Sequence, residues 1–412
     1  MPFCTSSGVM ASRPETGGVP SSVSRRLIAV LRGWDLYERT HSGPSIVDFD
    51  LSPPGKPAHF DSRLAVLDAL IDLDDSLRGS AGSAPFLRSR IGGSIAYLRA
   101  LLEKSVPFED YIQATLGVAA TPVTDAEVAA ARDEAEQWLE RYHLHYRREE
   151  RTRFESEFLL HDPSAIMSGI VEGKDLWLSR LRSLSVPVPP DIDLTVRFAS
   201  VDAYWANWIA GTRDGGFDLA INLHPRKKYQ RGGPLALCLH EICGHAAQMA
   251  IWKERIREGG LDEACGVTTV HSPETFCAEG LGQTVHLFFA RKFPLPSELW
   301  LRKAREYHEM LVMQNAHLML YGGERFEYVL DYADELLPLS HRQDVEIDLH
   351  DRVNNPLSRT YLLSYSIAER TIRLLVARMS DAQTVQFFSR LYQVPMTPAQ
   401  LIAFGNEILS AF

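Results

Sequence analysis

Residues 235–249 read LALCLHEICGHAAQM, and this segment restricts what the chain can fold into more than any other. It is an apolar, helix-favouring run that asks to be buried, yet it carries His240, Glu241 and His245 inside it. Buried polar groups need partners, and an ionised carboxylate in an apolar interior needs a cation or a metal. Neutral imidazole is the commonest protein ligand for zinc, and a glutamate beside the first histidine is placed to deprotonate a metal-activated water. In the familiar His-Glu-x-x-His pattern the histidines lie four apart and share one helix face. Here they lie five apart, which in a regular α-helix is about 500° of rotation rather than about 400° and splays the rings. One widened turn, a π-bulge, brings them back to one face. Gly244 is the expected place for it, because glycine tolerates unusual backbone geometry.

Two incidentally buried, hydrogen-bonded histidines would leave the same pattern, so a third ligand is the deciding requirement. Residues 273–286, PETFCAEGLGQTVH, form a second apolar run some tens of residues downstream. Pro273 suits a first helical turn, with Ser272 as the expected cap. Glu279 lies among Phe276, Ala278, Leu281 and Val285, where a free carboxylate is costly unless metal or a cation meets it. Glu279 is therefore the expected third ligand. Glu274, in the first turn, is the alternative, since it can equally serve as an exposed partner of the helix dipole. His286 follows Glu279 by seven residues, on the same face within about 20°, and can orient a ligand or simply fill the core.

Three segments now stand in one order: HEICGHAAQ at 240–248, AEG at 278–280 and LSYSIAE at 363–369. Together they resemble a bacterial metallopeptidase-like family that carries HE-x-x-PGH-x-x-Q, EGWA and ALSYKIG-type elements. That family in turn is similar to the helical carboxypeptidases and oligopeptidases of the gluzincin group. The resemblance covers roughly residues 215–375. Two positions depart from it: the first motif lacks the proline before Gly244 and is one residue shorter, and Leu281 replaces the expected tryptophan. The shorter spacing resembles the zinc motif of dipeptidyl-peptidase III. The resemblance implies one zinc ion, and it implies that Tyr365 stands over the metal and donates a hydrogen bond to the oxyanion. Tyr361 and Tyr365 are four apart on an apolar helix and share a face, so Tyr361 is an alternative donor or a core aromatic. Tyr307 and His308, ahead of an apolar helix, are further candidates. Arg352, Arg359 and Arg370 are candidates for holding a substrate carboxylate; Lys227 and Lys228 read as a solvated loop.

Composition narrows the rest. Of 412 residues, 45% are apolar and 23% charged, which excludes disordered, collagen-like and disulfide-scaffold chains. The net charge of −10 argues against nucleic acid or an anionic membrane as the main partner. Five cysteines without metal-finger spacing read as reduced thiols in a cytoplasmic protein. No secretory signal is visible in the first twenty residues, and no apolar stretch approaches the roughly 18 residues of a membrane span. The expected organisation is a disordered tail at 1–23, an N-terminal helical half at 24–186 and a C-terminal metal-binding half at 187–412. Prolines 187, 189 and 190 mark the boundary. Helices are expected at 62–77 and from a Thr124/Glu127 capping box to about Arg153. Strands are expected at 194–198 and 217–223, as a small antiparallel sheet beside the metal helix. The fold class is mainly α, two helical halves flanking a cleft. The expected function is zinc-dependent hydrolysis of a peptide or small amide. The rival expectations are a metal-dependent tailoring enzyme of small-molecule biosynthesis and a non-catalytic helical binding protein.

Overall fold

The computed structural model describes residues 21–78, 84–202, 206–212, 215–225 and 227–411. Helices dominate, as the periodicity requires. In chain order they are α1 (Ser21–Thr40), α2 (Arg63–Leu77), α3 (Ala84–Leu101), α4 (Phe108–Leu116), α5 (Asp125–Glu140), α6 (Arg151–Phe158) and α7 (Pro163–Ser183). Beyond the prolines follow α8 (Gly233–Leu237), α9 (Ala247–Arg257), α10 (Glu274–Ala290), α11 (Ser297–Tyr321) and α12 (Phe326–Leu336). The last four are α13 (Arg342–Asn354), α14 (Ser358–Val376), α15 (Asp381–Gln393) and α16 (Pro398–Ser410). Among the described residues no helix is long and apolar enough to cross a membrane.

Local chemistry sets several of these ends. Ser62 caps α2 by accepting from the Ala65 N–H at 3.2 Å. The Thr124/Glu127 capping box opens α5 as expected, but the helix stops at Glu140 instead of running to Arg153. His143 turns the chain with φ of 58°, which lets Leu144 and Tyr146 enter a small core with Leu139, Phe154 and Phe158. Burial of those two side chains outweighs continued helix. At the N-terminus, residues 1–20 of the expected tail lie outside the described residues. Helix α1 begins at Ser21, inside that expected tail, and buries Leu27, Leu31 and Trp34 along one face.

Short strands fill the gaps: β1 (Phe49–Asp50), β2 (Leu159–Leu160), β3 (Leu194–Ala199), β4 (Asn207–Gly211), β5 (Phe217–Asn222), β6 (Tyr229–Gln230) and β7 (Val267–Thr268). The three-stranded sheet has the order β3-β5-β4. Its two foreseen strands, β3 and β5, pair parallel, not antiparallel. The reason is β4, unforeseen in the sequence, which turns back antiparallel to β5 and takes one of its edges. That leaves β3 the other edge, in the direction of β5. The main hydrophobic core draws on both sides of the proline stretch, with Phe49, Ile170 and Trp177 packed among Leu219, Phe276, Phe288 and Ile372. A second core, made by α1 to α4, takes in Ala264 and Val267.

Candidate metal centre

The helix carrying the histidines is π-helical from Cys238 to Ala246 and runs directly from α8 into α9. The widening that the five-residue spacing demands is thus present. Inside it, Tyr392 of α15 donates to the Cys243 carbonyl at 2.7 Å. Gly244 lies within the widened stretch, as expected, and serves a second purpose as well. A Cβ there would lie 3.0 Å from the Cα of Gly282, so the pair lets the π-helix and α10 touch backbone to backbone. A Cβ on Gly282 would in turn sit 2.8 Å from the His240 ring. Two glycines therefore set how closely the imidazoles approach the face that carries Glu279.

The result is a tight triad. The Nε2 atoms of His240 and His245 are 3.1 Å apart, and each faces Glu279 Oε2, at 3.4 and 3.5 Å. Three ligands at about 2.1 Å from a tetrahedral ion lie about 3.4 Å apart, so these atoms occupy three corners of a coordination tetrahedron. Glu279 Oε2 is buried and has no hydrogen-bond partner, an orphan that a cation would satisfy. Its other oxygen accepts from the Tyr361 hydroxyl at 2.8 Å. Burial alone would raise the Glu279 carboxyl, but the two imidazoles hold it far below the usual carboxylate range. Burial likewise opposes charge on His245, yet Glu279 and Glu241 more than offset it and raise the imidazole to about 9.

Helix α14 supplies both tyrosines, four residues apart on the face toward α10. Their hydroxyls are 2.7 Å apart. Tyr361 has one proton and gives it to Glu279, a carboxylate that can only accept, so Tyr365 must donate to Tyr361. Burial, followed by the charge of Glu279, pushes both phenols well above their ordinary value, so both remain neutral donors. Glu241 is buried, with Oε1 4.0 Å from His240 Nε2. The Asn207 amide donates to that same oxygen at 2.6 Å. Asn207 sits on β4, the strand missed in the sequence, and no local signal distinguishes it there.

The other candidates fall elsewhere. Glu274 is buried, not exposed, and its carboxylate meets Arg90 at 2.6 Å. Ser272 does not cap α10 with its side chain; its hydroxyl pairs with Thr269, and Pro273 takes the capping position. His286 packs edge-on to Trp300, and burial holds it well below its ordinary value; it touches no ligand. Tyr307 and His308 lie within α11, not ahead of it. Tyr307 stacks under the Arg373 guanidinium and His308 bonds to the Tyr146 hydroxyl at 3.1 Å. Arg370 is paired with Glu127 at 2.6 Å. Arg352 lines the cleft but is held by Asp348 at 2.9 Å, and Arg359 does not reach it. Lys228 bonds to Glu155.

Two cavities meet at the triad. One, of about 230 Å³, is walled by Asp48, Trp208, Met249 and Trp252 together with all three ligands. The other, of about 420 Å³, is walled by charged side chains including Lys303, Glu306 and Arg352. Asn207, His240, Glu241 and Tyr365 line both, so the cleft passes the ligands on two sides. Asp48 was not foreseen. It reaches the site because β1 pairs with β7, which joins residue 49 to residue 268. Burial raises its carboxyl to about 8, the Glu279 charge adding to the effect and His245 opposing it. The four described cysteines are buried thiols outside any disulfide. Burial pushes those of Cys238 and Cys265 up to about 12.

No family model matches the chain, and no curated protein matches it. Among solved structures, the "putative lipoprotein" from Colwellia psychrerythraea aligns with a TM-score of 0.55 at 16% identity. The alignment covers 85% of this chain but only 61% of that one, so the chain spans about three-fifths of its length. A second, a "putative lipoprotein of unknown function" from Shewanella oneidensis, gives a TM-score of 0.49 at 13% identity over 84% of this chain and 71% of that one. The first likeness bears on the fold alone. What the chain itself presents is a mainly α protein with a largely buried two-histidine, one-glutamate group of metal-ligand geometry.

Proposed function

We propose that this protein is a single-zinc hydrolase of metallopeptidase type that cleaves a peptide or another amide bond. The observation that supports it best is the corner arrangement of His240, His245 and Glu279 around an orphaned carboxylate oxygen, with Glu241 beside the first histidine. Two nitrogens and one oxygen suit zinc, and three protein ligands leave a position open, as catalytic sites require. When bound there, zinc supplies a Lewis acid that polarises the scissile carbonyl and makes a water acidic near neutral pH. Glu241 accepts the proton of the attacking water and later delivers it to the leaving amine. Asn207 donates to Oε1 of that carboxylate and holds its orientation beside His240, leaving lone pairs of the carboxylate for the transfer. Tyr365 turns its hydroxyl from Tyr361 to the developing oxyanion, a donation worth about 3 kcal/mol. Tyr361 stays on Glu279 and fixes the ligand's orientation.

The test is Glu241→Gln, assayed by elemental analysis and by mass spectrometry on a mixed peptide library. The variant is expected to keep stoichiometric zinc and lose turnover by about 10²–10⁴-fold. Full activity in it would remove Glu241 as the base. The shortened motif and Leu281 favour a second reading, a metal-dependent tailoring step on a small molecule. Stoichiometric zinc with no cleavage of any library peptide by the wild-type protein would select that reading. A cytoplasmic, soluble enzyme is the setting proposed for either.

A further inference from the structure

The smaller cavity contains polar groups that neither the ligand set nor the proposed chemistry uses. Asp48 lines it, and among the described residues no cation bonds to its carboxylate. The acids that act on it, Glu279 and Asp35, add to the cost of its charge, and His245 opposes them. Asp48 also stands outside the group whose ligand atoms lie within 4.8 Å of one another, so it is not a fourth ligand. Glu274, the other acid of that wall, is already matched by Arg90. Two further groups of the same wall are buried without partners, Thr268 Oγ1 and Trp252 Nε1, in residues 9% and 2% exposed.

Asp48, just ahead of β1, is tied to Thr268 through the backbone, and both residues line this cavity. The Asp48 N–H donates to the Thr268 carbonyl at 3.1 Å, and Phe49 stands in register with Thr268. The remaining wall is largely Phe49, Trp208, Ile209 and Met249. Burial and the nearby acids disfavour charge on Asp48 in the empty cavity, a bound cation would favour its ionised form, and aromatic faces attract cations. A ligand that satisfies Asp48 and Thr268 brings positive charge, N–H donors and an apolar stem; the Trp252 N–H, itself a donor, asks in addition for an acceptor such as an amide carbonyl.

We infer that this cavity is the subsite for a primary ammonium group of the substrate, received by the Asp48 carboxylate and the Thr268 hydroxyl. The word substrate rests on the hydrolase reading; the recognition itself does not. An ammonium is a point charge with three donors, which suits two separate acceptors lining one cavity. A guanidinium is a planar fork that asks for both oxygens of one carboxylate, and a lone hydroxyl beside it adds nothing to that geometry. The ammonium can belong to a lysine-type side chain or to a free amino terminus, and both present the same chemistry to Asp48.

Calorimetric titration of the zinc-loaded protein separates the two sources. N-acetyl-lysinamide against N-acetyl-norleucinamide probes the side chain, and leucinamide against N-acetyl-leucinamide probes the amino terminus. In one pair the ammonium member is expected to bind about 10–100-fold tighter, the range of a charge-assisted hydrogen bond. Asp48→Asn should abolish that preference, and Thr268→Val should reduce it, both with zinc content unchanged. Asp48→Asn is isosteric and removes no internal hydrogen bond, and Thr268→Val provides an independent second variant. Equal binding within both pairs overturns the assignment. So does a preference that survives Asp48→Asn, or loss of zinc from that variant. An intact preference in a protein that cleaves nothing would count against hydrolysis and leave the subsite standing.

Discussion

Glu274 and Glu279 stand five residues apart on one helix, both almost fully buried, and the protein treats them in opposite ways. Glu274 meets Arg90, a permanent cation that also donates to the Ala264 carbonyl and bonds to that of Val267. Burial nonetheless leaves the Glu274 carboxyl raised, with Arg90 only partly offsetting it. Glu279 meets two imidazoles, groups that titrate, and keeps one oxygen unsatisfied. The first arrangement carries its own permanent counter-charge and ties α3 to α10, although Glu274 Oε2, like Glu279 Oε2, has no hydrogen-bond partner. The second is complete only when a cation enters. Burial of a carboxylate therefore does not by itself mark a ligand; the nature of its partners does.

The sharpest way to break this comparison is to remove one member of each pair. Arg90→Leu strands a buried carboxylate and should cost about 3–5 kcal/mol in urea unfolding while leaving zinc stoichiometry intact. Glu279→Gln should abolish stoichiometric zinc at neutral pH, read by elemental analysis. If the Arg90 variant lost the metal instead, Glu274 would belong to the centre. A milder effect is expected from Tyr361→Phe, which frees Glu279 Oε1: zinc affinity should fall about 10–100-fold in chelator competition. An unchanged affinity would reduce Tyr361 to core packing.

The smallest effect is on pH dependence in the chelated protein. The folded value of His245 lies above its ordinary 6.5, so its contribution is complete below that and fades as pH rises through about 9. Glu279 is shifted down, so its contribution is present above its ordinary 4.5 and is lost as pH falls well below that. Thermal unfolding of metal-free protein should thus show highest stability between about pH 5 and 6.5 and decline toward pH 9. Zinc-loaded protein, whose histidines are neutral ligands, should lack that alkaline decline. A flat metal-free profile would mean that the triad does not interact as described.

Much of the candidate metal centre was legible because its signals are local. The apolar run around His240 and His245 forces burial, and their spacing forces a widened turn, both consequences of a few consecutive residues. The Thr124/Glu127 capping box and the periodicity of α2 were legible for the same reason. The illegible parts depend on distant segments. Helix α5 ends early because Leu144 and Tyr146 find a core made elsewhere, and β3 runs parallel to β5 because β4 reverses the chain between them and pairs on the far edge of β5. Tyr307 and His308 look like site residues in the sequence and are spent on Arg373 and Tyr146.

The sequence by itself determined that two imidazoles and a glutamate would share one largely buried helix, since burial and helical phase are properties of neighbouring residues. Only the tertiary structure decided which later carboxylate joins them. That choice turns on Arg90, on the Gly244–Gly282 contact and on Tyr361, which come from three further helices. Likewise, Asn207 and Asp48 face the centre only through strand pairing. Coordination and recognition require convergence of side chains in space, and no spacing along the chain encodes the approach of one helix to another.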